Sequence, residues 1–543
     1  MRRTDHPGVL GRWLSTGRSP STGPAIFSLA IHPIITRLNS KFNVWYLDDG
    51  TLGGDADTVM SDLKYIISEF ESIGLHLNLS KCELYIPPTS LNKDEIIQKF
   101  NLIAPNITII DDTSLRLLGS PVKDKSIPSF INDKIQNFNS CSDRLLQINS
   151  HMAFWIIKFC LFVPKFTHFL RCCQFWKHPI ILQTLDDIVK NTLINVLNID
   201  LQERIWTQAT LPVRFGGLGV RKISSVALPA FLSSVHSTKK IVQEILHADL
   251  EPSLSTEARN AWLVVCPGSS LPIVPSIQRS WDGPICELSR KKLLETSISS
   301  ADRARLLATS VWESGLWLQA LPSPSIGTLM DAATFRSAIC LRLGANCCEP
   351  HNCRCGRAVD RLGHHGLSCG RSAGRIPRHA GLNDIIRRAL VSADVPAVLE
   401  PNGLIRDDGK RPDGMTLIPW SLGRPLVWDV TCVDTLAPSH LQESKVGAGR
   451  TATSAENLKR LKYVTLGTGY IFEPFGVETL GPWGPSAHKL FKIIKKRLMD
   501  KTGDRKAGAY LAQRISLCIQ RGNAASLLGT MPSDSGLVGL DGL

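Results

Sequence analysis

The spacing of apolar residues changes character several times along the chain. Residues 1–23 are rich in Arg, Gly, Ser and Thr, carry no apolar period, and read as a poorly structured leader. Residues 25–38 are helix-like, 42–47 form a short strand, and 57–73 repeat Val59, Leu63, Ile66, Ile67 and Phe70 at helical spacing. Residues 75–86 are strand-like again, so 24–125 predicts an α+β sheet domain. Residues 126–240 read as helical, with a turn at Gly216-Gly217-Leu218-Gly219. A connector follows over 241–345. Pro and Ser punctuate it at 248–282 as linker or irregular loops, and 288–343 is helical apart from a Pro-rich break at 322–325. Cysteines and histidines concentrate in 346–375, mixed α/β patterning returns over 376–505, and 506–543 holds one amphipathic helix (507–519) and a Gly/Ser-rich tail.

Composition narrows the class. With 543 residues, 43% apolar and 20% charged, the chain is ordinary globular material of about three or four domains, which excludes a mainly disordered, collagen-like or coiled-coil protein. The net charge of +14 and pI near 9.2 point to a polyanionic partner, nucleic acid first; the plainer reading is a basic soluble protein. Fifteen cysteines, an odd number and sparse outside one cluster, suit a reducing compartment and not a secreted disulfide scaffold. The apolar run 24–35 is interrupted by His32 and Pro33. That over 152–170 carries Lys158, Pro164, Lys165 and His168, so neither is expected to span a membrane. The expectation is an intracellular protein, nuclear or cytoplasmic, with no membrane partner.

Three constellations carry chemistry. In the first, Tyr46-Leu47-Asp48-Asp49-Gly50 sets adjacent carboxylates at a turn after a strand. Neighbouring carboxylates repel, and a divalent metal relieves that repulsion; the plainer reading is a solvated hairpin turn. The segment resembles the palm of non-LTR retrotransposon reverse transcriptases. Gly74-Leu75-His76-Leu77-Asn78 with Lys81-Cys82-Glu83 looks like the next box. Leu117-Leu118-Gly119-Ser120-Pro121 looks like the primer grip, and Gly23-Pro24-Ala25-Ile26-Phe27 like the end of the template-contacting box. The resemblance implies that Asp48 and Asp49 hold Mg2+ or Mn2+ and that Lys81 protonates the leaving pyrophosphate. The family also needs an upstream aspartate. Only 47 residues precede Asp48, the sole acid among them is Asp5, and Arg18-Ser19-Pro20-Ser21-Thr22 replaces the family's Gln-Gly-Asp-Pro. Fingers and half of the palm are thus missing from this sequence, and polymerisation by this chain alone is not expected.

In the second, Cys353-Arg354-Cys355 is followed after nine residues by His365 and after three more by Cys369, a set able to close a tetrahedral zinc site. His364 is an alternative imidazole, and Cys347 and Cys348 are alternative thiols; the plainer reading is a group of unligated buried cysteines. Eight arginines and no lysine lie between His351 and Arg388. Arg354, Arg357, Arg371 and Arg378 are therefore candidate phosphate contacts, against the plainer reading of a solvated basic face. The cluster looks like the zinc knuckle between polymerase and nuclease in retrotransposons with a restriction-enzyme-like endonuclease.

In the third, Lys410-Arg411-Pro412-Asp413-Gly414 precedes one short strand and Leu426-Val427-Trp428-Asp429-Val430-Thr431 forms another, so a turn between them can bring Asp413 and Asp429 together. The plainer reading of Asp413 is an ordinary Pro-Asp-Gly turn. This resembles the PD-(D/E)xK nucleases, with Arg378-His379 and Asn383 looking like a further box of the retrotransposon version. Thr431 stands where the nuclease lysine usually is. Lys459 or Lys462 of the next helix can substitute, with Lys445 as an outsider. Glu456 and Lys459 share a helical face and can instead pair at the surface. Glu473 and Glu478 receive no role, and the aromatics over 154–176 and 312–317 read as core.

Together the readings predict an α+β multidomain chain: partial polymerase palm (24–125), helical thumb-like region (126–240), connector (241–345), zinc knuckle (346–375) and α/β restriction-endonuclease-like domain (376–505). The resemblance implies a truncated retrotransposon protein of the RNA-directed DNA polymerase family with a Mg2+-dependent DNA endonuclease, partners DNA and RNA, and cofactors Mg2+ (or Mn2+) and Zn2+. The alternative is a non-catalytic nucleic-acid-binding remnant of such an element.

Overall fold

The structure, a computed structural model, describes residues 23–246, 252–404 and 411–531. The expected leader, apart from Gly23, lies outside the described residues, as do Asp5, the 18–22 segment, Lys410 and the tail beyond 531. The protein is α+β, 58% helical with small sheets. Its backbone gathers into two compact units, Met1–Ile135 with Thr238–Pro252, and Gln136–Ser237 with Ser253–Leu543. Residues 136–237, most of the expected connector and all of 346–375 and 376–505 thus share the second unit.

In the first unit, α1 (Gly23–Ile35) packs Ile31 and Ile34 on Ile66 and Phe70 of α2 (Ala56–Ser72). Strands β1 (Phe42–Tyr46) and β2 (Asp49–Gly53) form an antiparallel hairpin whose Trp45 meets Phe70 edge-on at 5.8 Å. The buried Asp62 carboxylate accepts from the Asn39 and Ser40 amides and the Ser40 hydroxyl (2.6–3.1 Å), tying the approach to β1 onto α2. The strand expected over 75–86 shrinks to β3 (Glu83–Tyr85), paired in parallel with β4 (Thr108–Ile110). The Ser80 hydroxyl donates to Asn78 Oδ1 (2.7 Å) and Leu79–Lys81 closes a 3-10 turn, so local side-chain bonding competes with extension. The strands β5 (Arg116–Leu117) and β6 (Ser120–Pro121) form the hairpin expected at 117–121, with Leu118 and Gly119 at positive φ.

In the second unit, the apolar run over 152–170 falls in two ten-residue helices, α3 (Ser150–Phe159) and α4 (Val163–Cys172), separated by Phe162 at φ 53°. Each rises about 15 Å, half a hydrocarbon core. The expected loops over 248–282 are a correction. Most of that stretch is helical, in α5 (Pro252–Val265) and the start of α6 (Gln278–Glu295). The fully buried Trp262 and Trp281 pack edge to face at 5.2 Å, and the Trp262 Nε1–H donates to the Trp281 carbonyl (3.0 Å). Pro252 opens α5, where a missing N–H costs nothing, so it marks a start and not a break. The Gly-rich turn wraps Arg342 of α7 (Ala332–Leu343). This buried guanidinium donates to the carbonyls of Gly217, Ser314, Val213 and Thr309 at 3.0–3.1 Å, and burial and Arg305 hold its pKa down to about 9.

Downstream lie the hairpin β7 (His351–Asn352)/β8 (Ala358–Val359), α8 (His365–Ser368) and α9 (Arg375–Ser392). A four-stranded sheet follows, ordered β12-β11-β10-β9. Strands β9 (Ala397–Leu399), β10 (Gly414–Thr416) and β11 (Leu426–Val433) run antiparallel in turn. Helix α10 (Arg450–Lys462) then crosses to β12 (Ile471–Glu478), parallel to β11. Helices α11 (Pro485–Thr502) and α12 (Ala507–Leu528) complete the unit. α12 begins where the amphipathic 507–519 helix was expected but runs to Leu528. It buries a broad face, which includes Ala512, Ile515, Gln520, Asn523 and Ser526, against α7, α8, α9 and α11, and leaves Tyr510, Arg514 and Arg521 exposed. Small residues make this possible: a Cβ on Gly374 would stand 1.9 Å from the Gly522 carbonyl oxygen, and one on Gly366 2.7 Å from that of Ser526. Gly374→Ala is expected to destabilise the protein by about 1–3 kcal/mol, read as a lower urea midpoint, whereas Gly370→Ala, whose Cβ meets nothing within 4 Å, leaves the midpoint unchanged.

Candidate functional site

The Cys/His centre is assembled by short, tightly turned elements. Between β7 and β8, the Cys353 amide donates to the Arg357 carbonyl (2.9 Å) and Gly356 turns the chain at φ 87°, so Cys353 and Cys355 project from one knuckle. His365 opens α8 and Cys369 follows its end. The four ligand atoms lie within 4.8 Å of one another. Cys353 and Cys369 Sγ are 3.8 Å apart, and Cys355 Sγ is 3.1 Å from His365 Nε2. A disulfide would need about 2.05 Å, whereas a tetrahedron with Zn–S near 2.3 Å has an edge of about 3.8 Å. The arrangement can therefore hold a metal such as zinc. The Arg357 backbone and His365 pull the Cys355 thiol down to about 6, so a thiolate is available near neutral pH. The open alternatives resolve by position. Cys348 Sγ donates to the Asp360 carbonyl (3.3 Å) and Cys347 Sγ to that of Ala345 (3.6 Å), and His365, not His364, faces Cys355.

The arginines divide. Arg354, Arg357 and Arg371 are exposed, with Arg371 donating to the Arg354 carbonyl (2.8 Å). Arg378 corrects the expectation of a surface phosphate contact: it is 3% exposed, lies against Gly522 and donates to Asn523 Oδ1 (2.7 Å), anchoring α9 to α12.

A second cluster forms on the sheet. Asp413 stands at the bend just before β10, where its amide donates to the Trp428 carbonyl (3.1 Å), which brings it beside Asp429 of β11. The Trp428 indole fills the space a Cβ on Gly414 would take (2.0 Å), and its Nε1–H donates to Asn383 Oδ1 of α9 (3.0 Å). One helical turn earlier on α9, His379 reaches Asp413, Nε2 to Oδ2 2.9 Å. The same Oδ2 accepts the Val430 amide (2.7 Å). Asp429, 2% exposed, is ion-paired with Lys459 of α10. Burial pushes the Asp429 carboxyl up and the Asp413 charge adds to this, with Lys459 opposing. Burial is also the largest single influence on Asp413 and pushes it up, but the hydrogen bond and charge of His379, the Val430 amide and Asn383 together outweigh it and hold the carboxyl below its ordinary value. The bond to Asp413 raises His379 in turn.

Of the two candidate lysines, Lys459 reaches a carboxylate, whereas Lys462 Nζ donates to Tyr463 Oη (3.0 Å), which donates to the Arg411 carbonyl (2.8 Å). Glu456 does not pair with Lys459. It is buried and accepts the amides of Gly476, Ser486 and Ala487 (2.9–3.1 Å), which fastens α10 to the start of α11. Glu473 is held by Arg460 and Lys489. Sequence reasoning assigned nothing to Tyr463, although its i,i+4 relation to Lys459 puts both on one helix face.

Asp48 and Asp49 lie at the β1–β2 turn, where Leu47 adopts φ 55°, and both are exposed. Lys81 is exposed at the end of its 3-10 turn. Among the described residues no third ligand gathers with the two aspartates, and no ion pair joins them to Lys81.

The purified full chain is expected to carry about one zinc, measured by elemental analysis, and Cys369→Ser or His365→Ala to lose it along with resistance to unfolding; a metal-free wild type would refute the assignment. Compared with known proteins, the chain matches no family model and no curated protein.

Proposed function

We propose that this chain is a metal-dependent DNA endonuclease of the retrotransposon kind, with Asp413, Asp429 and Lys459 at its cutting site. One observation carries the reading: a carboxylate at the bend before β10, another on β11 and a lysine from the crossover helix converge at one end of the sheet, with His379 reaching Asp413. Two neighbouring carboxylates in a dry site are costly unless a cation lies between or beside them, and oxygen-only donors suit a hard ion. Asp413 and Asp429 would hold Mg2+ or Mn2+, which when bound supplies charge stabilisation at the phosphoryl oxygens. The chain's own groups do the rest. Lys459 Nζ offsets the Asp429 charge and presents a cation to the phosphodiester. His379 Nε2–H fixes the Asp413 carboxylate, and the Val430 amide fixes its other approach. The exposed Arg354, Arg357 and Arg371 and the metal-holding knuckle would grip the phosphate backbone of DNA or RNA.

The β1–β2 carboxylates support a polymerase ancestry by resemblance, and two exposed aspartates without a third ligand among the described residues give no second reaction here. The test is nicking of supercoiled plasmid by the full chain in Mg2+. Asp413→Asn, Asp429→Asn and Lys459→Met should each lower the rate at least about 100-fold, and Lys462→Met should leave it within a few-fold. Undiminished nicking in both aspartate variants would refute the assignment. Salt-sensitive DNA binding with no nicking would favour a non-catalytic binding protein.

A further inference from the structure

Away from both clusters, the first half of α11 borders a cleft of about 830 Å3 lined by Trp312, His488, Phe491 and the lysines 489, 492 and 495. Trp312 departs from the core role expected of it. Trp317 is 1% exposed, but Trp312 is 48% exposed, an unusual exposure for so large an apolar ring. Its ring is braced from behind, with centroids 5.8 Å from Trp483 and 6.2 Å from Phe491. His488, beside it, is pinned to Glu313 (Nε2 to Oε1 3.3 Å). The result is a rigid aromatic surface with one side turned outward.

The cations beside it are concentrated. α11 carries six Lys or Arg against the single acid Asp500. Lys489, Lys492 and Lys495 are spaced i, i+3, i+6, which spreads three ammonium groups over about 9 Å of one face. Lys489 is held by Glu473, whereas no carboxylate pairs with Lys492 or Lys495 among the described residues. An apolar ligand would have no use for the lysines, and an acidic peptide none for the indole face. A flat heterocycle joined to phosphates uses both.

We propose that this cleft binds one strand of nucleic acid, with a base stacked on Trp312 and flanking phosphates on Lys492 and Lys495. The proposal shares with the preceding section only the class of polymer. It concerns strand capture on α11, which proceeds whether or not Asp413 and Asp429 cut.

The test uses the full chain and a fluorescein-labelled oligothymidylate, followed by anisotropy across a salt series, with tryptophan fluorescence as a second signal. Trp312→Ala should weaken binding about tenfold, and Trp312→Phe, which keeps a stacking face, should restore most of it. Lys492→Gln with Lys495→Gln should lower the slope of log affinity against log salt by about 1.4. An abasic oligonucleotide of equal length should bind the wild type as weakly as oligothymidylate binds Trp312→Ala. Wild-type affinity in Trp312→Ala, an unchanged salt slope in the lysine pair, or equal binding of abasic and thymidylate strands each overturns the proposal. Plasmid nicking, run in parallel, separates the two readings. Trp312-dependent binding without nicking by any protein supports this cleft and sinks the nuclease. Nicking with Trp312-independent strand binding does the reverse.

Discussion

Close approach to α12 is the constraint on which the second unit depends. A helix buried over so broad a face needs neighbours that come nearly to backbone contact, and Gly366 and Gly374 supply that over Gly522–Leu527. The metal-ligand knuckle, α9 and the sheet's covering helices are thereby referred to one rigid element. Arg378 belongs to this framework and not to the surface: its guanidinium pairs with Asn523 inside the α9–α12 contact, one residue from His379, which faces the carboxylate cluster. The position of the candidate active site is thus set by packing on the far side of α9.

The carboxylate pair shows how that rigidity becomes chemistry. The bond from the Asp413 amide to the Trp428 carbonyl places Asp413 beside Asp429, and the Gly414–Trp428 contact leaves the β10–β11 register little freedom to slip, because any side chain at 414 would collide with the indole. Two acids so placed would repel each other strongly. The protein gives Asp413 a hydrogen bond from His379 and Asp429 the Lys459 ammonium. Both partners favour the charged carboxylate, but at Asp429 burial and the Asp413 charge prevail, so the two proton affinities still diverge. Such divergence is what makes the pair a candidate functional site.

Much of this was legible in the sequence where the signal was local. The 57–73 helix, the 42–47 strand, the Leu117–Pro121 turn and the Cys353, Cys355, His365, Cys369 set each rest on spacing that neighbouring residues enforce. What was misread depended on partners far along the chain. Periodicity carried α12 only to 519, because the residues packed beyond it, Gly522, Asn523, Ala524 and Ser526, are small or polar and give no apolar period. Proline and serine over 248–282 suggested loops, yet Pro252 opens a helix and Trp262 and Trp281 close a core. Glu456 and Lys459 share a helix face, but Glu456 is claimed by the Gly476 amide of β12 and by those of Ser486 and Ala487 at the start of α11, contacts no local pattern announces.

The same distinction separates the charges that build the fold from those left for a ligand. Arg305, Arg342 and Arg378 are buried, the first two surrounded by carbonyl, amide and carboxylate oxygens and the third held by Asn523, so they present little charge to a ligand. The net +14 therefore expresses itself through groups that remain outside: Arg354 and Arg357 on the knuckle, and Lys492 and Lys495 on α11. Guanidinium groups suit fixed, many-partnered interior positions, so composition, which counts Arg305, Arg342 and Arg378 alike with the exposed Arg354 and Arg357, overstates the charge left for a ligand.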